Sequence, residues 1–445
     1  MSPNVSELAS WVELDETFDW RVVSRFEEPQ YHGWVLELVS QTWLGSHFVD
    51  RPVWKHWMTI LVPRKISAST AFLYIGGGSI LDLAPCRPTE RLVALGLHAG
   101  SVVVELWQVP NQPLRFALDP DELQTEDRYV AYLLAHYNGD VRTLPRYPMV
   151  KSAVAAMTAT QQCLQQLAGL DHARKFVISG SSKRGWAAWL VALLDDRICG
   201  VAPVAINVLN VGQAVRHHWQ SLGSFPDVLH PYAERQILSR RPHERWVALA
   251  LRIEDPFSYV DAERMKIPKL IVAASGDEYF PADTTQYYFE RLPGPKFLRI
   301  LPNARHSPVG TDVNDTIAAW HAAIAHDFRW PDIVFLADDN GGLVLKGAPP
   351  AAVVKLWEAT NPSARDFRVS SVGDDAFQAR DIVSDGQGLF KAQVNEPPVG
   401  FTAYFLEVQF QLDTGGVLKL TSEMYVTPGK LPFAWTQAEE PPLGN

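Results

Sequence analysis

The stretch Phe176-Val177-Ile178-Ser179-Gly180-Ser181-Ser182-Lys183-Arg184-Gly185-Trp186-Ala187-Ala188-Trp189-Leu190 decides how the rest of this 445-residue chain is read. Its first three residues are apolar and rich in branched side chains, suited to a strand buried on both faces, and Trp186 to Leu190 open an apolar helix. A strand that turns into a helix within a few residues forces the corner residue into a strained backbone conformation, tolerated only where its neighbours are very small. Gly180 and Gly185 flank Ser182 in that way. Such a corner lifts the serine hydroxyl above the sheet edge and aims the first N–H groups of the helix at whatever it attacks. The pattern departs from G-x-S-x-G, because Arg184 stands at the second glycine position and Gly185 follows it. Taken alone, Gly-Ser-Ser-Lys after a strand also fits an ordinary turn with a capping serine.

Support comes from downstream. A buried strand over 269–274 ends in Ser275-Gly276-Asp277-Glu278, and another over 296–301 ends in Pro302-Asn303-Ala304-Arg305-His306. Ser182, Asp277 and His306 therefore occur in the order Ser, Asp, His, each just after a predicted strand of one parallel sheet. Catalytic groups collect at those carboxyl ends. The expectation is a serine nucleophile (Ser182), a histidine that moves its proton (His306) and a carboxylate that orients the imidazole (Asp277). Glu278, Asp283 and Asp255 are rival acids; Asp255, before Pro256, and Asp283, heading a predicted helix over 283–292, fit better as helix caps. Upstream, a strand over 71–75 runs into Gly76-Gly77-Gly78-Ser79. Backbone N–H groups of Lys183 and of Gly77 or Gly78 would hold the oxyanion. This chemistry needs no metal and no organic cofactor.

Around these points the chain alternates strand and helix, which builds a parallel sheet with helices on both faces. Alternating stretches at 34–41 and 57–63 predict an antiparallel edge. Helical spacing marks 126–136, 149–167, the second started by Pro148, and 315–328. Residues of about 207–265 separate two sheet strands by far more than a usual loop and read as a helical cap over the site. Trp186 and the cap residues His217, His218 and Trp219 are candidate substrate contacts. From about Trp330 the texture becomes short strands, including one over 367–372, separated by Gly, Pro and Asp. The expected architecture is an α/β-hydrolase domain over 1–329 and an all-β sandwich of immunoglobulin or fibronectin type over 330–445, serving as a buttress or as a carbohydrate or partner surface.

With 47% hydrophobic and 20% charged residues and 15 Trp, the composition is globular. A net charge of −10 with both signs interspersed argues against nucleic acid or an anionic membrane surface as partner. The basic cluster Arg240-Arg241 is short. Cys86, Cys163 and Cys199 are few and widely spaced, which suits buried thiols rather than a disulfide frame or a zinc site. The first twenty residues lack the basic start and apolar run of a secretory signal, so the expectation is a cytoplasmic protein, or an exported one whose signal has been removed.

The chain resembles the PhoPQ-activated pathogenicity-related proteins, the family that takes in the autocrine proliferation repressor proteins. The resemblance rests on Trp54-Lys55-His56, Gly76-Gly77-Gly78, Glu126-Asp127 with Ala131-Tyr132, Pro148-Met149-Val150-Lys151, Ser182-Lys183-Arg184-Gly185-Trp186, Asp277-Glu278-Tyr279-Phe280, Pro302-Asn303 with His306, and Leu356-Trp357 through Arg365-Asp366-Phe367-Arg368. It implies an α/β-hydrolase fold followed by a β-sandwich. The Ser-Lys-x-Gly elbow is also similar, locally, to that of glucuronoyl esterases. That would place the Lys183 charge beside the oxyanion and favour esters of acidic acyl groups, whereas a surface pair at a helix start is the plainer account of Lys183 and Arg184. The combined expectation is a carboxylic ester hydrolase acting on a small-molecule, saccharide or peptide ester. The alternatives are an exopeptidase, with Glu126-Asp127 as amine anchor or simply as helix caps, and a secreted or cell-surface binding protein on a hydrolase scaffold.

Overall fold

The computed structural model describes residues 5–238, 245–385 and 388–435; Arg240 and Arg241 lie outside them. Nine strands form one sheet: β1 (Asp19–Glu27), β2 (Tyr31–Thr42), β3 (Val53–Pro63), β4 (Thr70–Ile75), β5 (Val103–Leu106), β6 (Lys175–Ser181), β7 (Ile198–Val204), β8 (Lys269–Ala274) and β9 (Lys296–Leu301). Their spatial order is β1-β2-β3-β5-β4-β6-β7-β8-β9. The first three strands and the β3–β5 pair are antiparallel, and β5 through β9 run parallel. Burial follows from this position. Every residue of β8 is buried, as an apolar run between two helical layers requires, whereas β1 at the edge is mostly exposed.

Helices Arg146–Ala168 and Lys183–Leu194 cover one face with one apolar cluster, and Glu90–Ala99 and Val313–Ala325 cover the other with a second. Helix Arg146–Ala168 starts three residues before the expected position. Pro148 then sits inside the first turn, where its missing N–H costs no intrahelical bond. Between β7 and β8 the chain forms helices Val211–Leu222, His230–Glu234 and Arg245–Glu254 with several 3₁₀ turns. Asp255 caps the turn Pro256–Tyr259 and also accepts from the backbone N–H of Val211 at 2.8 Å, so it fastens both ends of this excursion. The helix expected over 283–292 is instead two 3₁₀ turns, Ala282–Tyr287 and Phe289–Arg291, and Asp283 is not its cap. Of the three cysteines, Cys163 is buried and Cys199 half-buried, but Cys86 is exposed, contrary to expectation. No helix among the described residues is long and apolar enough to cross a membrane.

Beyond residue 330 lie two antiparallel sheets. One joins Val334–Ala337, Gly342–Lys346 and Phe390–Gln393; the other joins Gln378–Asp381, Val353–Asn361, Phe401–Gln411, Val417–Thr421 and Tyr425–Thr427. The strand expected over 367–372 is a helical turn, Val369–Val372. Leu345, Leu356, Leu406 and Leu420 from these sheets share one buried cluster with Leu301 and Trp320, so the core runs unbroken across residue 330. A buried Arg299 on β9 reinforces the junction. Its guanidinium pairs with Glu407 and, at 3.0 Å, with Asp312, which also holds Lys419 at 2.5 Å.

Candidate active site

Ser182 stands at the turn from β6 to helix Lys183–Leu194 with φ 55° and ψ −129°, a conformation that costs an L-residue energy and persists only where the surroundings enforce it. The two glycines explain how it is enforced. A β-carbon on Gly180 would lie 2.8 Å from the Arg184 carbonyl, and one on Gly185 would lie 2.7 Å from the Gly180 oxygen. The turn therefore closes with glycine three residues after the serine, not two. The Ser182 N–H is tied to the Val204 carbonyl at 2.8 Å, and the serine lines a cavity between the sheet edge and the cap. Lys183 begins the helix, so its N–H is one of the amides a helix leaves unpaired.

His306 follows β9, and its Nδ1 lies 3.0 Å from each carboxylate oxygen of Asp277, which follows β8. Asp277 is itself fixed, since Oδ1 accepts from the backbone N–H groups of Tyr279 at 2.7 Å and Phe280 at 3.1 Å. Of the rival acids, Glu278 accepts the His306 backbone N–H, not its ring, and Asp283 and Asp255 have other partners. The Tyr279 ring packs on the imidazole at 4.2 Å between centroids. Asn303, in the left-handed conformation at φ 56°, exchanges two hydrogen bonds with the backbone of Phe377. A residue from the C-terminal third thus braces the His306 loop.

Of the glycine run, Gly77 borders the elbow, whereas a β-carbon on Gly78 would meet Asp82 and Gln108. The Arg184 guanidinium lies against Gly77, where a β-carbon would meet Nη2 at 2.7 Å. Arg184 donates to the Val109 carbonyl at 2.6 Å and to both oxygens of Glu126, and Lys183 Nζ bonds the same carboxylate at 2.6 Å and stands 3.3 Å from Asp127. Burial raises the Glu126 pKa, but the charges of Arg184 and Lys183 and their hydrogen bonds outweigh it and bring it to about 2. Lys183 and Arg184 are accordingly neither a surface pair nor a free positive charge at the oxyanion. Two cations facing two carboxylates give no preference for an acidic acyl group. Nor does Glu126 act as a helix cap: Thr125 holds that position without a side-chain bond, and Glu126 itself has φ 46°.

The cavity wall is almost wholly apolar. Trp186 and His218 line it; His217 and Trp219 do not. His217 is buried in a network with Asp283 at 2.9 Å and the Tyr287 hydroxyl at 2.9 Å, while Trp219 packs into a small cluster with Phe225 and Trp435. Adjacent helical residues point in different directions, which separates the pair His217-His218. Burial, helped by the charge of Arg368, keeps His218 neutral with a pKa near 3. Trp186 donates to the Glu254 carbonyl and carries the Arg146 guanidinium 4.0 Å above its ring. Arg146 carries no expectation from the sequence, Asp127 only that of an amine anchor or helix cap, and Tyr279 only its place in the family resemblance. Asp127 accepts the hydroxyls of Tyr232 from the cap at 3.0 Å and Tyr279 from the acid loop at 2.9 Å, linking the two across the cavity edge.

Residues 8–368 match the family described as PhoPQ-activated pathogenicity-related protein. The chain belongs to that family. Among curated relatives, autocrine proliferation repressor protein A of Dictyostelium discoideum is 32% identical over 450 residues, covering 94% of this chain and 90% of its own. Solved structures similar to this family member include acetyl xylan esterase 1 from Thermoanaerobacterium sp., with a TM-score of 0.47 and 13% identity over 69% of this chain and 90% of that one. Another is an S-formylglutathione hydrolase from Agrobacterium tumefaciens, with a TM-score of 0.42 and 16% identity over 68% and 99%. At these scores neither likeness adds to what the strand order and the elbow already say of the PhoPQ-related chain.

Proposed function

We propose that this chain is a serine hydrolase of carboxylic esters, built on an α/β-hydrolase frame. One observation carries the proposal: a serine in a strained elbow lines an apolar cavity, and the histidine after the last sheet strand is oriented by a carboxylate at 3.0 Å through both oxygens. Asp277 bonded to Nδ1 fixes the tautomer that leaves the Nε2 lone pair available, and it stabilises the imidazolium that forms. Ser182 Oγ attacks the carbonyl carbon as His306 takes its proton, giving a tetrahedral intermediate whose oxyanion accepts from the N–H of Lys183 and of Gly77 or Gly78. His306 returns the proton to the departing alcohol, and water then releases the acid from the acyl-enzyme by the same route. The two sheets beyond residue 330 act in this scheme as a sandwich that buttresses the His306 loop through Phe377 and Asn303. Pre-steady-state hydrolysis of a p-nitrophenyl ester tests it: a burst equal to the enzyme concentration is expected for wild type and none for Ser182→Ala, and equal turnover by the two would refute it.

A second reading, a signalling protein on a hydrolase scaffold, takes its support from the name of the Dictyostelium relative. An exopeptidase is the weaker alternative, because the carboxylates that would anchor an amine are already paired with Lys183 and Arg184.

A further inference from the structure

The cavity beside Ser182 is made by residues distant in sequence: Ile206 and Val208 after β7, Ala214 and Val215 on the cap helix, Leu238 and Leu251 further along the cap. Three charged side chains share this apolar wall: Lys183 and Asp127 stand 3.3 Å from one another, and the third is Arg146. Arg146 has a side chain only 3% exposed; its Nη1 donates to Glu254 at 2.7 Å, and its backbone N–H donates to the other Glu254 oxygen at 2.8 Å. Its Nε is buried without a hydrogen-bond partner, and Nη2 makes no hydrogen bond to a described residue. A buried guanidinium with donors to spare is costly unless an acceptor reaches it. Held over the Trp186 ring, one helical turn beyond Ser182, Arg146 lines the cavity; Nε is itself buried, so Nη2 is the donor left to meet an acceptor there. Because Glu254 balances its charge, a neutral oxygen suits it better than a carboxylate.

We propose that the site takes an ester with an apolar portion of several carbons carrying a neutral hydrogen-bond acceptor, such as a ketone or ether oxygen, that Arg146 binds. The apolar portion fills the cavity between the sheet edge and the cap, and Arg146 is a specificity determinant. This rests on the ester-hydrolase reading above.

The test compares kcat/KM for p-nitrophenyl acetate, hexanoate and 5-oxohexanoate, with ethyl and hexyl acetate as the arm that places the apolar portion on the alcohol side. Full burial is worth about fourfold per methylene, so hexanoate, or hexyl acetate on the other arm, should exceed its short counterpart by at least roughly tenfold. The 5-oxo ester should exceed hexanoate by roughly fivefold. Ala214→Trp, or Val215→Phe should the first fail to fold, should remove the chain-length advantage. The paired change Arg146→Met with Glu254→Gln, which strands no buried charge, should collapse the 5-oxo to hexanoate ratio to about one or below. A wild-type enzyme that turns over acetate as fast as hexanoate on both arms would overturn the proposal, as would a 5-oxo ratio untouched by the Arg146 change. Calorimetry on Ser182→Ala keeps the two readings apart. Chain-length-dependent binding without any turnover by wild type would sink the hydrolase reading and sustain the cavity's ligand class; equal binding of acetate and hexanoate esters would sink the ligand class.

Discussion

The Arg184 guanidinium lies so close to the Cα of Gly77 that a β-carbon there would stand 2.7 Å from Nη2. Its other contacts, to Glu126 and to the Val109 carbonyl, hold it in place. The side chain that displaces the second glycine of the serine elbow is therefore also the one that seats the glycine run against the elbow. In this way the two proposed sources of oxyanion donors are set relative to one another by one arginine.

Gly77→Ala should accordingly push Arg184 off Glu126 and shift one donor. A misplacement of about 1 Å can cost on the order of 10²-fold, so kcat/KM should fall by that order while circular dichroism is unchanged. Unaltered kcat/KM would mean that this loop takes no part in catalysis.

Asp277→Asn should leave the fold intact, because the amide can keep one contact to the imidazole. It should lower turnover by roughly 10⁴-fold through the wrong tautomer. Glu278→Gln, which alters the acceptor of the His306 backbone N–H and not that of the ring, should cost far less. If the two variants exchange ranks in steady-state assays, the acid has been misassigned.

Arg365 reaches from the segment after strand Val353–Asn361 to Asp283 at 2.6 Å and to Ser221 on the cap helix at 2.9 Å. Its charge and that of His217 overcome the effect of burial and drive the Asp283 pKa far below the ordinary carboxylate range. Arg365→Met would leave that carboxylate buried without its guanidinium partner, and urea denaturation should show a loss of about 3 to 5 kcal/mol. A change under about 0.5 kcal/mol would show that the network does not carry the cap.

Burial depresses His56 to about 4 and His218 and His321 to about 3, against an ordinary 6.5. The folded form stays unprotonated where the unfolded chain takes up protons. Their contribution is therefore complete above about pH 6.5 and is lost as pH falls toward 3 to 4. Each adds a slope of about 1.4 kcal/mol per pH unit below pH 5.5. In His321→Gln the dependence of unfolding free energy on pH should be shallower by about that amount over pH 4 to 5.5, read from denaturant curves; parallel curves would contradict a neutral buried imidazole.

Local patterns made part of this molecule legible before its structure. The strand, glycines and apolar helix around Ser182 are a contiguous signal, and Asp277 and His306 each follow a run of apolar residues that could only be a buried strand. Long-range pairing was not legible. Asp283 looked like a cap because spacing cannot show that Arg365 would meet it, and Lys183 looked free because Glu126 lies 57 positions away. The pair His217-His218 looked like one feature, yet helical geometry sends one ring to Asp283 and the other to the cavity wall. Arg146 carried a signal that could have been used: an arginine followed by the apolar first turn Tyr147-Pro148-Met149-Val150, all buried, needs a buried acid, and Glu254 ends the last α-helix of the cap.

The most direct test of an activated serine is intact-mass spectrometry after incubation with a fluorophosphonate, on wild type, Ser182→Ala and His306→Ala. One phosphonyl adduct on wild type, mapped to the peptide bearing Ser182, with none on Ser182→Ala and strongly slowed labelling of His306→Ala, is the predicted result. Folded wild-type protein that remains unlabelled, or a Ser182→Ala protein that labels as readily as wild type, would contradict it.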